Sequence, residues 1–155
     1  MQAAALVTAQ RWLALATTDD ESVPHISYAP FAGALGAFGI VVSRLAQHTA
    51  HLLAERPAAV LLVGSSIGQL DPYQWDPYAR VRFSVDVVPR RQAPGSARAH
   101  ELWSALEDRH GETVGVLRTL SDFEAIALEP VRGRLILGFA SAHDIEADAI
   151  REMLR

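Results

Sequence analysis

The 155-residue chain has no cysteine. That excludes disulfides, zinc–thiolate sites, iron–sulfur clusters and cysteine nucleophiles, so any redox chemistry must come from a bound cofactor. Positive charge is not in excess either: 14 Lys+Arg stand against 18 Asp+Glu, a formal net charge of −4. A nucleic-acid binder needs a basic surface to neutralise phosphates, so that partner class is not expected. A clean apolar run of membrane length is missing. The longest uncharged stretch, residues 22–42, is broken by Pro24, Pro30, Gly33, Gly36 and Gly39, which argues against a membrane helix. The N-terminus lacks the positive start of a secretory peptide, and a cytoplasmic protein is the simplest expectation. There is also no Walker A loop, no Gly-x-Ser-x-Gly elbow and no Gly-x-Gly-x-x-Gly after a strand. ATPase, α/β-hydrolase and Rossmann dehydrogenase readings lose their main supports.

What is present is a globular composition, 50% hydrophobic and 21% charged. At this length one domain over residues 1–155 is expected. A short helix over residues 3–10 is followed by strand signals. Residues 11–18 form a first strand and 19–22 a turn. Residues 24–31 alternate, with His25, Ser27 and Ala29 on one face and Ile26, Tyr28 and Pro30 on the other. Residues 33–36 turn the chain into a β-branched strand at 38–42. Ser43 is placed to cap a helix over 44–56, stopped by Pro57. Residues 58–63 and 79–88 read as strands. Between them, residues 64–77 are rich in turn formers and repeat Asp71-Pro72-Tyr73 as Asp76-Pro77-Tyr78, the pattern of a loop. Residues 97–110 read as a helix between Ser96 and Gly111. Residues 122–129 and 134–140 read as a strand pair around Pro130-Val131-Arg132-Gly133. A last helix runs from about residue 144, with Ile145, Ala149, Ile150 and Met153 as its apolar stripe. Short connections between the first three strands predict antiparallel pairing. Strands and helices do not alternate regularly, so a doubly wound sheet is not expected. The expected fold is mainly β (α+β), a small antiparallel barrel with peripheral helices.

The turn into the helix after Ser43 carries the most chemistry. Ser43 and Thr49 bring hydroxyls, Arg44 a guanidinium, and Gln47 and His48 further donors. Free N–H groups and the helix dipole favour an anion there, and a phosphate is well served. The plainer alternative is that Ser43 is only a cap on a solvated helix. His48 and His51 are three apart, but no third ligand has metal-site spacing, so no metal is expected. His25-Ile26-Ser27-Tyr28 either presents donors to a planar ligand or simply alternates its faces. Arg80 and Arg82 share one strand face and can meet an anion. Trp12 is expected in the core, Trp75 in loop packing and Trp103 in helix packing, Asp122 as a turn cap, and His143 just ahead of the last helix.

In this order the segments resemble the pyridoxamine 5′-phosphate oxidase-like FMN-binding split barrels, and most nearly their haem-utilisation branch. The resemblance rests on Leu15-Ala16-Thr17-Thr18, on Pro24-His25-Ile26-Ser27-Tyr28-Ala29-Pro30-Phe31 and on Ser43-Arg44-Leu45-Ala46-Gln47-His48-Thr49. It extends through Asp76-Pro77-Tyr78-Ala79-Arg80-Val81, Leu120-Ser121-Asp122-Phe123, and Gly133-Arg134 with Gly138-Phe139. It implies a six-stranded split barrel and a homodimer with FMN at the interface. It assigns Ser43, Gln47, His48 and Thr49 to the FMN phosphate, His25 to Tyr28 to the flavin ring, and Arg80 to a polar flavin contact. A flavoprotein oxidoreductase acting on a small molecule is the implied activity. The haem branch makes haem the alternative ligand and gives Asp122 a supporting role, and an FMN carrier without chemistry is a further alternative. His51 departs from the family's asparagine, and the oxidase's C-terminal arginine and tryptophan region has no counterpart, so vitamin B6 oxidation is not expected.

Overall fold

The computed structural model describes residues 2–64, 81–138 and 140–155. The elements in chain order are α1 (Gln2–Ala9), β1 (Trp12–Thr18), β2 (Pro24–Ala34), β3 (Ala37–Ser43), α2 (Gln47–Leu53), β4 (Ala58–Val63), β5 (Arg82–Arg91), α3 (Ala97–His110), α4 (Glu112–Arg118), β6 (Phe123–Gly138), β7 (Ser141–Glu146) and α5 (Ala147–Met153). The strands form one antiparallel sheet in the order β3-β2-β1-β4-β5-β6-β7. A further pairing of β3 with β6 closes six of them into a barrel, with β7 added outside β6. The expected antiparallel split barrel with peripheral helices is therefore the observed fold.

Alternation explains the barrel's interior. Leu13 and Leu15 of β1, Phe31 of β2, Phe38 and Ile40 of β3, Val60 and Leu62 of β4 and Phe83 and Val85 of β5 share one buried cluster. The helices α1, α2 and α5 add Leu6, Leu52, Ile150 and Leu154 to it. A second apolar layer lies outside the barrel. There Leu102, Trp103 and Leu106 of α3 cover Ala32, Val41, Ala125 and Ala127 of β2, β3 and β6. The barrel is thus clothed by helix on its β2–β3–β6 side.

Several local expectations match. The strand at Ala58–Val63 and the helix at Ala97–His110 have their expected bounds. Ser96 accepts a hydrogen bond from the Ala99 N–H, and Gly111 leaves the helix at φ 85°. The β2–β3 turn is tighter than the expected 33–36. Ala34 pairs with Ala37 across Leu35 (φ 58°) and Gly36 (φ 73°), a two-residue loop of the left-handed kind that suits a twisted hairpin.

Four expectations are corrected. Residues 122–140 are not a hairpin: β6 runs unbroken from Phe123 to Gly138. Its pairing with β5 shifts between Asp86 and Val87, which face Arg132 and Pro130, so Val131 is an extra residue. Proline is tolerated at such a bulge, and the turn-like string marks it. The last helix begins at Ala147 rather than 144, because Ser141–Glu146 pairs with β6 as β7. The helix expected over 44–56 spans only Gln47–Leu53. The strand expected from residue 79 starts, within the described residues, at Arg82. The repeated Asp-Pro-Tyr loop, Trp75, Arg80 and Phe139 lie outside the described residues.

Candidate functional site

The barrel is split between β2 and β3. Along residues 24–30, β2 is paired with β1, from Pro24 opposite Thr18 to Pro30 opposite Trp12. On its other side it meets β3 only from Phe31 to Ala34. Beyond that point β3 turns to β6, ending with Ser43 opposite Phe123. Residues 24–30 of β2 therefore have no strand partner on that side among the described residues.

The turn after β3 and helix α2 fill the gap. The Ser43 carbonyl accepts the Ala46 N–H at 3.0 Å and the Thr49 hydroxyl at 2.5 Å. The Ser43 hydroxyl oxygen accepts the Leu45 N–H at 3.2 Å. From α2, His48 reaches β2, with its Nδ1 2.9 Å from the Ser27 hydroxyl. His51 reaches β1, its Nδ1 2.9 Å from the Thr17 hydroxyl. The His25 ring lies edge-on to that of His51, centroids 6.0 Å apart. Three imidazoles and two hydroxyls are thus gathered at the split. Burial above all, then the neighbouring His25 and His51, lower the His48 pKa from 6.5, which favours its neutral form. No three His, Asp or Glu side chains are placed to hold a metal ion among the described residues.

The expected site residues come together only in part. His25, Ser27, His48 and Thr49 meet at the split, whereas Tyr28 points to the opposite side of β2. Ser43 does not cap α2, whose first flanking residue is Ala46 and which has no side-chain cap. It ends β3 and organises the turn instead. Thr49 is 1% exposed, its hydroxyl engaged. Arg44 turns away from α2 and bonds Glu124 through Nε at 2.9 Å and Nη2 at 2.6 Å. The other Glu124 oxygen accepts Arg91 Nε at 3.0 Å. Gln47 is exposed. Arg82 lies on β5, half-buried, and its expected companion Arg80 is outside the described residues. His143 stands on β7 rather than before the last helix, exposed and 3.1 Å from the Ser141 hydroxyl.

The sequence brings out Thr17 and His51 without showing that they pair, and Glu124 not at all. Thr17 carried a signal: it falls on the inward parity of β1 with Leu13 and Leu15, so a polar group there needs a buried partner. Glu124 had none, because its two arginines arrive from other strands.

The outward parity of β1, β2 and β4 forms a second feature. Ile26 is 75%, Tyr28 70% and Trp12 53% exposed, and Leu61 and Val63 also face solvent. The Trp12 and Tyr28 rings meet edge-on with centroids 5.5 Å apart. Trp12 is therefore not a core residue, contrary to expectation. Only its Trp12 end is approached by a helix among the described residues, the His110 ring at the end of α3 lying 6.4 Å from that of Trp12.

The whole of this frame has relatives. Residues 1–137 match the pyridoxamine 5′-phosphate oxidase family. The chain belongs to that family. It is 28% identical over 143 residues to the haem oxygenase HutZ of Vibrio cholerae, across 90% of this chain and 76% of that protein. Among solved structures it is similar to a haem-binding protein from Mycobacterium smegmatis, with a TM-score of 0.81 and 24% identity. That match covers 97% of this chain and 59% of the mycobacterial one. HutZ from Vibrio cholerae gives a TM-score of 0.73 at 24% identity, over 83% of this chain and 87% of that one. These likenesses at 24% identity bear on the fold, which they share with this family member.

Proposed function

We propose that this chain is one half of a homodimer that binds haem against the bare face of β1, β2 and β4. The observation that carries this reading is that Arg44, His48 and Thr49 around the α2 turn are already engaged within the protein. A flavin phosphate is a dianion and needs cations and free hydroxyls. Here the Thr49 hydroxyl serves the Ser43 carbonyl, Arg44 serves Glu124, and His48 is bonded to Ser27 and favoured neutral. A tetrapyrrole asks instead for a broad apolar wall. Trp12, Tyr28, Ile26, Leu61 and Val63 provide one, and a second copy meeting the same face would bury it isologously. Two relatives, named for haem oxygenase and haem-binding roles, support the choice. Bound haem supplies the redox-active iron; the chain supplies the wall and excludes water.

The second reading, a flavoprotein oxidoreductase or an FMN carrier, is favoured by the open edge of β2. Backbone groups of residues 24–30 can meet the polar edge of a flavin ring there, beside Ser27 and His48. Thr49 would then have to release the Ser43 carbonyl to take the phosphate, beside the Ser43 hydroxyl and the exposed Gln47.

One titration separates the readings. Purified protein is followed by absorbance on adding haem and, separately, FMN. We expect a Soret band that saturates at an equimolar ratio, with the FMN spectrum unchanged. Saturable perturbation of FMN, with free haem unaltered, overturns the haem reading in favour of the flavin. Silence with both sinks the two together.

A further inference from the structure

We propose that the cleft under α3 and α4 is a binding site for a small aromatic anion, distinct from the bare face and from the split. The cleft has a volume of about 290 Å³, at the lower end of the range for small-molecule sites. Its apolar wall is Trp103 of α3 with Leu120 and Phe123 around the start of β6. Its polar rim is Arg44, Glu124, His100 and Arg118.

The charges on that rim do not balance. Glu124 is buried and is the one carboxylate in the group. It is shared by two guanidiniums, Arg44 and Arg91. One positive charge is therefore left over from the trio. Arg118 adds another. Its Nη2 lies 2.6 Å from His100 Nδ1, a neutral acceptor in that pairing, and it forms no ion pair among the described residues. Positive charge around the cleft's indole and phenyl ring thus exceeds negative by two, counting Arg91, and Arg118 is the guanidinium there that no carboxylate holds among the described residues, in a protein of net charge −4.

All 14 cationic side chains of the chain are arginine. A guanidinium offers a planar fork to a carboxylate or a phosphate, and it is less strongly hydrated than an ammonium. A flat ring against Trp103, with its anionic group on Arg118, satisfies both halves of the cleft, while Arg44 stays on Glu124 and adds to the positive field. Inorganic anions engage only the rim. Uncharged aromatics engage only the wall.

The test is calorimetric titration of the full chain with benzoate, phenyl phosphate and inorganic phosphate. Both aromatic anions are expected to bind saturably, and inorganic phosphate at least about tenfold more weakly, since it leaves the apolar wall unfilled. Preference between benzoate and phenyl phosphate tells which anionic group the rim favours. Arg118→Gln should weaken the aromatic anions about tenfold, and Arg134→Gln, on the far side of the barrel, should leave them unchanged. In the unmodified protein, the Trp103 indole N–H resonance should shift with the aromatic anions while that of Trp12 stays fixed, a readout that needs no variant. Absence of saturable binding, equal affinity in Arg118→Gln, or a shift at Trp12 alone overturns the site.

Discussion

His48 illustrates how one buried side chain ties the split to pH. Burial and the two neighbouring imidazoles all lower its pKa, while in the unfolded chain it titrates near its ordinary 6.5. Between those two values the unfolded state carries the extra proton. The stability held by neutral His48 is therefore complete above pH ~6.5 and is lost as pH falls towards the lowered folded value. Urea unfolding from pH ~7.5 down to ~5 should show falling stability, and His48→Gln should make that slope shallower. An unchanged slope in the variant would assign the pH dependence to other groups. The same residue shows what single positions reveal in a sequence. His48 and Thr49 were picked out as anion donors because they follow a strand end. Thr49 turns back locally to the Ser43 carbonyl, whereas the partner of His48, Ser27, is set by where the barrel splits, which no local spacing encodes.

Among the elements, β6 shows how a rule can be right locally and wrong in its conclusion. Up to the bulge its core residues are Ile126 and Leu128; beyond it the inward residue is Leu135. The extra residue Val131 moves the inward parity by one position. Read from the chain alone, broken alternation around a proline and a glycine is a turn. In the barrel it is a strand changing faces. Gly133 is needed there because α5 packs directly on it. A Cβ at this position would stand 2.7 Å from Phe83 Cε2 and 2.9 Å from Ile150 Cδ1. Gly133→Ala should therefore cost about 1–3 kcal/mol through overpacking, measured as a lower midpoint in urea. A neutral substitution would mean that α5 shifts freely. The helix α3 was legible to its last residue because cap, amphipathic stripe and terminal glycine agree. Its successor α4 was missed: one buried residue, Val114, is too little pattern to read. The last helix was begun too early because Ile145 fits a helical stripe, although its pairing with Gly133 puts it in β7.

For the molecule as a whole, the unequal clothing of the barrel decides how it can associate. Helices α3 and α4 lie over β3 and β6, while β1, β2 and β4 present aromatic and aliphatic side chains to water. No helix among the described residues is long and apolar enough to cross a membrane. A second copy is the partner we assign to that face. In a two-fold interface on this face Ile26→Asp would bury an unpaired carboxylate from each copy, whereas at a 75% exposed position it costs a monomer only about 0.5 kcal/mol. Light scattering should report a dimer for the natural sequence and a monomer for the variant. A variant that stays dimeric places the interface elsewhere.

The closure of the barrel also governs how the chain can fold. Phe38 stands in register opposite Leu128, and Ser43 opposite Phe123, so the seam joins the first third of the sequence to the last. The meander β1–β2–β3 is local and can form early, and β4 and β5 extend it from β1, yet the free edges of β3 and of the last strand added stay unpaired until β6 has been synthesised. Pairings of such long sequence separation are slow, because loop-closure entropy is lost before the contacts repay it. During translation this protein therefore passes through a stage in which an incomplete sheet, already carrying its exposed Trp12, Tyr28 and Ile26, waits for its closing strand. That interval, rather than the finished barrel, is when aggregation threatens it.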